Sequence, residues 1–235
     1  DNDGISGKAN RVWNYETQQV SLGRFGWKAN QPSLSQQTAA AFNGDLGITS
    51  DLFPQDHLSP SQQLEYPNLP NGGNPEVTED IFNKVVSYAR TLSVPARRAY
   101  DDPTVLRGKF LFNQINCSGC HHSDFNTGPG GAIEALQFQK IWPYSDLLLH
   151  DMGPGLADGR PDFLASGNEW RTAPLWGIGL IPTVNEHSFL LHDGRARNIE
   201  EAILWHSGEA EKSQSDFKKL NTADREALLK FVGSL

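Results

Sequence analysis

Only two cysteines and one methionine occur among the 235 residues, and these scarcities narrow what the chain can do. Two cysteines allow at most one structural disulfide, and none once both thiols are tied up elsewhere. In that case no thiol remains to exchange with a substrate disulfide either. No run approaches the ~18 apolar residues of a membrane-spanning helix. There is no block of Lys and Arg, the formal charge is −8 and the pI is about 5.3. That balance argues against nucleic acid or an anionic membrane as partner and leaves room for a basic one, such as a soluble electron carrier. Hydrophobic residues make up 37% of the chain and the mean hydropathy is −0.50. Both are low for a protein that fills its core alone, so a large apolar body would help a small helical shell to close.

The two cysteines stand in Cys117-Ser118-Gly119-Cys120-His121. C-x-x-C-H is the attachment site of a c-type haem. One tight turn sets two thiols against the haem vinyl groups and brings the adjacent imidazole under the iron. Two plainer readings exist: a C-x-x-C redox pair, which has no need of the His, and half of a zinc site. A closed zinc site would need two more ligands, which His122 and His150 could supply only in an unfamiliar pattern. The motif predicts one covalent haem c on this chain. His121 is expected to hand its other ring nitrogen to a backbone carbonyl. Haem of this type is attached outside the cytoplasm. The chain opens on Asp1 without a signal peptide, and the expectation is therefore a processed or truncated exported protein, periplasmic in a bacterium.

The periodicity predicts a mainly α fold with many long loops. Thr78 can cap a helix with the apolar face Ile81, Phe82, Val85, Val86, Ala89 and Leu92. Asn221 or Thr222 can cap another, with Ala227, Leu228, Phe231 and Val232 on one face. A third, from about Pro103 to Asn116, carries Leu106, Phe110, Leu111 and Ile115 into the haem motif. Residues 101–235 thus read as a complete cytochrome c-type domain: opening helix, C-x-x-C-H, loop-rich middle, closing helix. Residues 1–97 end in a similar closing helix without a haem motif and read as the remainder of a preceding cytochrome c-like domain. Gln55 to Pro75, rich in Pro, Ser, Asn and Gly, reads as loop. A gapless overlay of the stretch from Trp27 on the stretch from His192 supports duplication. It puts Leu34 opposite Ile199, and Ala41 opposite His206.

The segments "DGISGKANRVW", "LGRFGWKANQPSL", "AAAFNGDLGIT", "PYSDLLLHDMGPGLADG", "WRTAPLWGIGL" and "FLLHDGRARNIEEAILWHSGEA" carry a resemblance. Together they resemble the di-haem oxidoreductases often labelled thiol oxidoreductases, relatives of bacterial di-haem cytochrome c peroxidases and of the methylamine-utilisation haem enzyme. The resemblance covers nearly the whole chain, but the family has two C-x-x-C-H motifs where this chain has one. It therefore implies the C-terminal portion of such a protein, with a second haem on upstream sequence. The thiol oxidoreductase label finds no support, because both thiols go to the haem.

Further roles follow from the resemblance. The peroxidases place a Met at the position matching His206, which points to His206 as sixth iron ligand. Met152 is the alternative, as the only Met, and an open site is the third option. The His192-Asp193-Gly194-Arg195 turn lies beside the haem in those relatives. His192, Arg195 and Arg197 are therefore expected to contact it, with guanidinium groups on the propionates. The plainer reading is a capped turn with solvated arginines, and Arg171 has the same two readings. Trp27 matches a Trp between the two haems, and Gln37 a Gln at the peroxide site. Asp45 is the nearest carboxylate to the position of the catalytic Glu. His150 and Asp151 read as a brace for their loop before a proton relay. Asp1-Asn2-Asp3-Gly4 resembles the start of a calcium loop without its later carboxylates, and a turn is the plainer reading. The relatives' interdomain ion keeps calcium open.

The expected function is an electron-transfer haem domain of a peroxidase-like oxidoreductase, with a soluble redox protein or small oxidant as partner and a homodimer left open. The alternative is a mono-haem electron carrier without catalytic activity.

Overall fold

The computed structural model describes residues 4–65, 70–129, 131 and 133–235. The calcium-loop motif at Asp1–Asp3 therefore lies outside the described residues. Two compact units form. One is Asn10–Ser93, and the other joins Val94–Leu235 to the described part of Asp1–Ala9. The division falls at 93/94, not after 97. The N-terminal segment joins the larger unit because Lys8 and Leu149 exchange both backbone hydrogen bonds, at 2.8 Å each.

The smaller unit runs β1 (Arg11–Asn14), β2 (Gln19–Leu22), α1 (Leu34–Leu46), α2 (Pro60–Glu65) and α3 (Glu79–Thr91). β1 and β2 pair antiparallel, with Val12 opposite Ser21. The buried Gln36 pins this hairpin to α1: its Oε1 accepts from Tyr15 N and its Nε2 donates to the Trp13 carbonyl. The core is small and comprises Ala39, Val77, Phe82 and Val86. Only Phe82 and Val86 of the expected α3 face are buried, whereas Ile81 and Leu92 are exposed. α2 corrects the expectation of unbroken loop over Gln55–Pro75. Ser59 and Gln62 form a reciprocal capping box, Gln62 N donating to Ser59 Oγ and Ser59 N to Gln62 Oε1, with Pro60 at the first helical position.

The larger unit continues with α4 (Pro103–Gln114), β3 (Phe125–Asn126), β4 (Lys140–Ile141), β5 (Leu149–Asp151), β6 (Glu169–Arg171), α5 (Ile181–Asn185), α6 (Ile199–Trp205), α7 (Glu211–Lys219) and α8 (Thr222–Ser234). The fold is mainly α, and its strands form three short two-stranded ribbons among the described residues. Asp102 caps α4 by accepting from Thr104 N and Val105 N, and Pro103 follows it. Asn221, not Thr222, caps α8 by accepting from Asp224 N.

α4 and α8 cross in backbone contact. A Cβ on Gly108 would lie 2.0 Å from the Ala227 carbonyl oxygen and 2.7 Å from Phe231 Cβ. That contact selects which face of α4 is inside: Val105, Leu111, Phe112 and Ile115 are buried, while Leu106 and Phe110 of the expected face are 49% and 57% exposed. On α8 all four expected residues are buried.

The overlay of Trp27 on His192 persists in the backbone, at a constant spacing of 165 residues. Phe25 pairs with Gln31 as Leu190 pairs with Ala196. Ala29 N donates to the Gly26 carbonyl as Gly194 N does to that of Leu191. Ser33 and Asn198 then cap α1 and α6 with the same bond, accepting from Gln36 N and Glu201 N.

The Gly108 contact makes a prediction. Gly108→Ala should lower stability by at least ~1–3 kcal/mol, since the obstruction is backbone. Gly44→Ala on α1, where a Cβ meets nothing within 4 Å, should be neutral or stabilise by up to ~1 kcal/mol. Denaturant unfolding of both variants reads this; equal effects would remove the crossing as the tightest point of the fold.

Candidate functional site

α4 stops at Ile115, and Asn116 turns the chain with φ 61° into a 3₁₀ turn, Cys117–Gly119. His121 N donates to the Cys117 carbonyl at 3.0 Å, so both thiols and the imidazole share one tight turn. Both cysteines are free. Burial pushes the Cys117 thiol up to about 12, and its side chain packs against the core. Gly119 is backed by Ile5, whose Cδ1 would be 2.7 Å from an added Cβ.

His121 Nδ1 is 2.9 Å from the Tyr144 carbonyl. A carbonyl only accepts, so Nδ1 carries the proton and Nε2 keeps its lone pair. Tyr144 presents that carbonyl from a left-handed conformation, φ 52°, that a bulky residue seldom adopts. Phe112 flanks the imidazole at 6.3 Å and meets Tyr144 edge-on at 6.1 Å.

His206 lies one residue past α6, at its C-cap. Its Nδ1–H donates to the Ala202 carbonyl at 2.7 Å, which satisfies one of the last helical carbonyls and leaves Nε2 bare. The rings of His121 and His206 are 6.4 Å apart, centre to centre. Two imidazoles on opposite sides of one metal, each nitrogen about 2.0 Å from it and about 1.1 Å from its ring centre, have centres about 6.2 Å apart. Burial lowers both histidines, His121 to about 4, so both are neutral imidazoles at physiological pH. Together with the two free thiols, this donor set fits a c-type haem. Met152 opens the next loop, with its N donating to the Asn168 carbonyl and its own carbonyl accepting from Ser207 Oγ.

His150 is 1% exposed and held on both nitrogens: Nε2 on Asp146 and Nδ1 on Glu209, each at 2.8 Å. Its Nδ1 is also 3.7 Å from Cys120 Sγ. Burial alone would lower its pKa, but Asp146, the Cys120 sulfur and Glu209 outweigh that and raise it to about 11. Burial would likewise raise Glu209, yet bonds from His150, Ser6 N and Asp151 N take it down to about 2. His150 is therefore an imidazolium between two carboxylates, bracing the loop behind Cys120. Glu209 gave no signal in the sequence, since its partners lie 59 and 203 residues away.

The turn at His192 is capped. Arg195 grips Asp193 through Nε and Nη2, both at 2.6 Å, donates Nη1 to the Gly155 carbonyl and lies over Trp205 at 4.9 Å. Arg197 pairs with Glu201 at 2.7 Å. His192 stacks on Trp170 at 3.6 Å. Arg171 stands on β6, where burial lowers its pKa.

In the smaller unit Trp27 is 55% exposed. The Gln37 carboxamide lies near Gly26, the residue before Trp27, its Oε1 3.7 Å from where a Gly26 Cβ would be. That oxygen is buried and has no partner among the described residues. Asp45 is exposed in the last turn of α1, eight residues and thus about 12 Å of helix beyond Gln37.

These features describe a mainly α protein in which two free thiols and an imidazole share one turn and a second imidazole stands 6.4 Å from the first. The whole chain, residues 1–235, matches a family described as "di-haem oxidoreductase, putative peroxidase". The chain belongs to that family, and its role is haem-based redox chemistry. No curated protein and no solved structure matches it. No described helix is long and apolar enough to cross a membrane. Among the described residues, no group of three or more His, Cys, Asp or Glu forms a site for a bare metal ion.

The His150 brace carries a pH signature. Glu209 is depressed, so its contribution to stability is full above about 4.5 and lost as pH falls toward about 2. His150 is raised, so its contribution is full below about 6.5 and lost as pH rises toward about 11. Glu209→Gln should lower the melting temperature at neutral pH and flatten its fall between about pH 4.5 and 2. Acid limbs of equal steepness in both proteins would mean that Glu209 is not held as a carboxylate.

Proposed function

We propose that Cys117 and Cys120 would hold haem c covalently, with His121 and His206 offering nitrogens to its iron, and that this centre would transfer electrons in a peroxidase-like di-haem oxidoreductase. The observation that carries the reading is the 6.4 Å separation of two neutral imidazoles, each with Nδ1 tied to a carbonyl. A haem held there supplies one-electron chemistry, at a lower potential with two imidazoles than with one thioether ligand. Tyr144 and Ala202 fix the two tautomers and ring orientations. The residues Val94–Leu235 are then a cytochrome c-type domain, closed by α4 against α8.

Asn10–Ser93 is the remainder of a second such domain, whose haem motif belongs to upstream sequence. The shared hydrogen bonds of the Trp27 and His192 turns support this. Ala41 stands where the other unit has His206, so α1 offers no imidazole there and a small oxidant has access. The unpartnered Gln37 oxygen is an acceptor for a proton-bearing oxidant such as a peroxide. Asp45, in open solvent, serves proton exchange, and Trp27 serves electron relay, as the resemblance implies. The protein is exported, as haem c attachment requires, and its acidic surface suits a basic soluble redox partner.

Acid–acetone should leave the haem with the protein, and Cys117→Ser with Cys120→Ser should abolish it. His206→Ala should convert a low-spin spectrum to a high-spin one that binds exogenous ligands, while Met152→Ala changes little. A near-infrared Met-to-iron band in the unaltered protein would refute the ligand assignment. One haem per chain in the complete gene product, by pyridine haemochrome, would leave a mono-haem carrier instead.

A further inference from the structure

Arginines in the larger unit show one recurrent grip. Arg107 holds Asp224 side-on, with Nε at 2.7 Å and Nη2 at 2.9 Å. Arg195 turns the same edge to Asp193, with Nε and Nη2 both on its Oδ2. This edge presents two parallel N–H groups that match the two oxygens of a carboxylate. Arg97 has the same edge buried, and neither Nε nor Nη2 has a partner among the described residues. A guanidinium carries its charge at any physiological pH, and buried donors are seldom left without an acceptor. Its neighbour Arg98 is differently placed, donating Nη2 to the Gly233 carbonyl at 2.6 Å at the end of α8.

The position of Arg97 says which carboxylate is missing. Its guanidinium lies over the Phe231 ring at 5.2 Å. Phe231 packs on Phe112 at 5.3 Å and on Tyr144 at 5.8 Å. Those two residues flank His121 and hold its Nδ1–H. Arg97 is thus built into the aromatic cluster that walls the proximal imidazole. Two of the three arginines that the sequence offered for the haem propionates are engaged, Arg195 with Asp193 and Arg197 with Glu201.

We propose that Arg97 clamps a haem propionate through its Nε and Nη2 edge. The inference rests on the haem reading of Cys117, Cys120 and His121. It adds a cofactor-binding residue that no motif marks, 20 residues before Cys117. The clamp neutralises one propionate and so favours the reduced, less positive iron.

The test uses the full-length haem-loaded protein. In the reduced state, the Arg97 Nε–H should show nuclear Overhauser contacts to propionate methylene protons. Arg97→Gln should shift the reduction equilibrium toward the oxidised form by about tenfold, which is 59 mV for one electron. Arg97→Lys, which keeps the charge without the fork, should recover part of that shift. Absence of the contact in the unaltered protein overturns the proposal, as does an Arg97→Gln equilibrium within twofold of it. If Arg97→Gln does not fold, the contact in the unaltered protein decides alone. Pyridine haemochrome absorbance on the same samples scores covalent haem separately, so failure of the haem reading and failure of the clamp are distinguishable.

Discussion

The contact between Gly108 and the Ala227 carbonyl sets the geometry from which the rest of the larger unit follows. Two helices whose backbones touch leave little freedom in rotation or register, because interiors close-pack and do not deform smoothly. With that crossing fixed, Phe112 and Phe231 meet at 5.3 Å and Tyr144 closes the aromatic cluster against both. The Tyr144 carbonyl is then in place for His121, and the turn after α4 carries both thiols. Salt bridges such as Arg107–Asp224 and Lys230–Asp102 lie at the surface of the same pair, where ion pairs add little to stability. Packing, more than charge, positions the site.

The repeated turn shows how one backbone unit serves two purposes. The bridge, the turn bond and the N-cap are alike at Trp27 and at His192. The difference begins in the helix that follows. α6 ends at Trp205 because His206 leaves the helical conformation and its Nδ1–H takes the Ala202 carbonyl. α1 has Ala41 at that position, keeps its ladder and runs on to Leu46, where Gly47 ends it with φ 69°. At matching positions α1 carries Ala41 and α6 ends before His206, and the two helices differ in length.

What could be read from the sequence was whatever is local. Asn221 caps the helix that follows it, Thr78 stands at the N-cap of α3 without a side-chain bond, and the C-x-x-C-H turn is set by its own spacing. The capping box at Ser59 and Gln62 was equally local and was obscured by the Pro and Gly around it. The inward face of α4 was not legible. Leu106 and Phe110 are as apolar as Leu111 and Phe112, and only the approach of α8 chooses between them. Nor was the Tyr144 carbonyl, since a backbone oxygen carries no residue signature. The nearness of His206 to His121 was legible only through resemblance; in isolation a histidine near the end of a helix reads as a surface residue.

Two kinds of buried polar group remain, and they differ in what they ask for. His150, Asp146 and Glu209 satisfy one another, and Glu209 extends that network to Ser6 and to the backbone of Asp151. Such a set is complete within the chain and acts as structure. Arg97 and Gln37 are the opposite case: a buried fork of donors and a buried acceptor, each without a partner among the described residues. Buried polar atoms are seldom left so. A fork of donors on the wall of the His121 pocket asks for an anion, and an acceptor beside the Trp27 turn asks for a proton donor. The chain thus holds both a polar set that closes on itself and buried polar atoms that find no partner among the described residues.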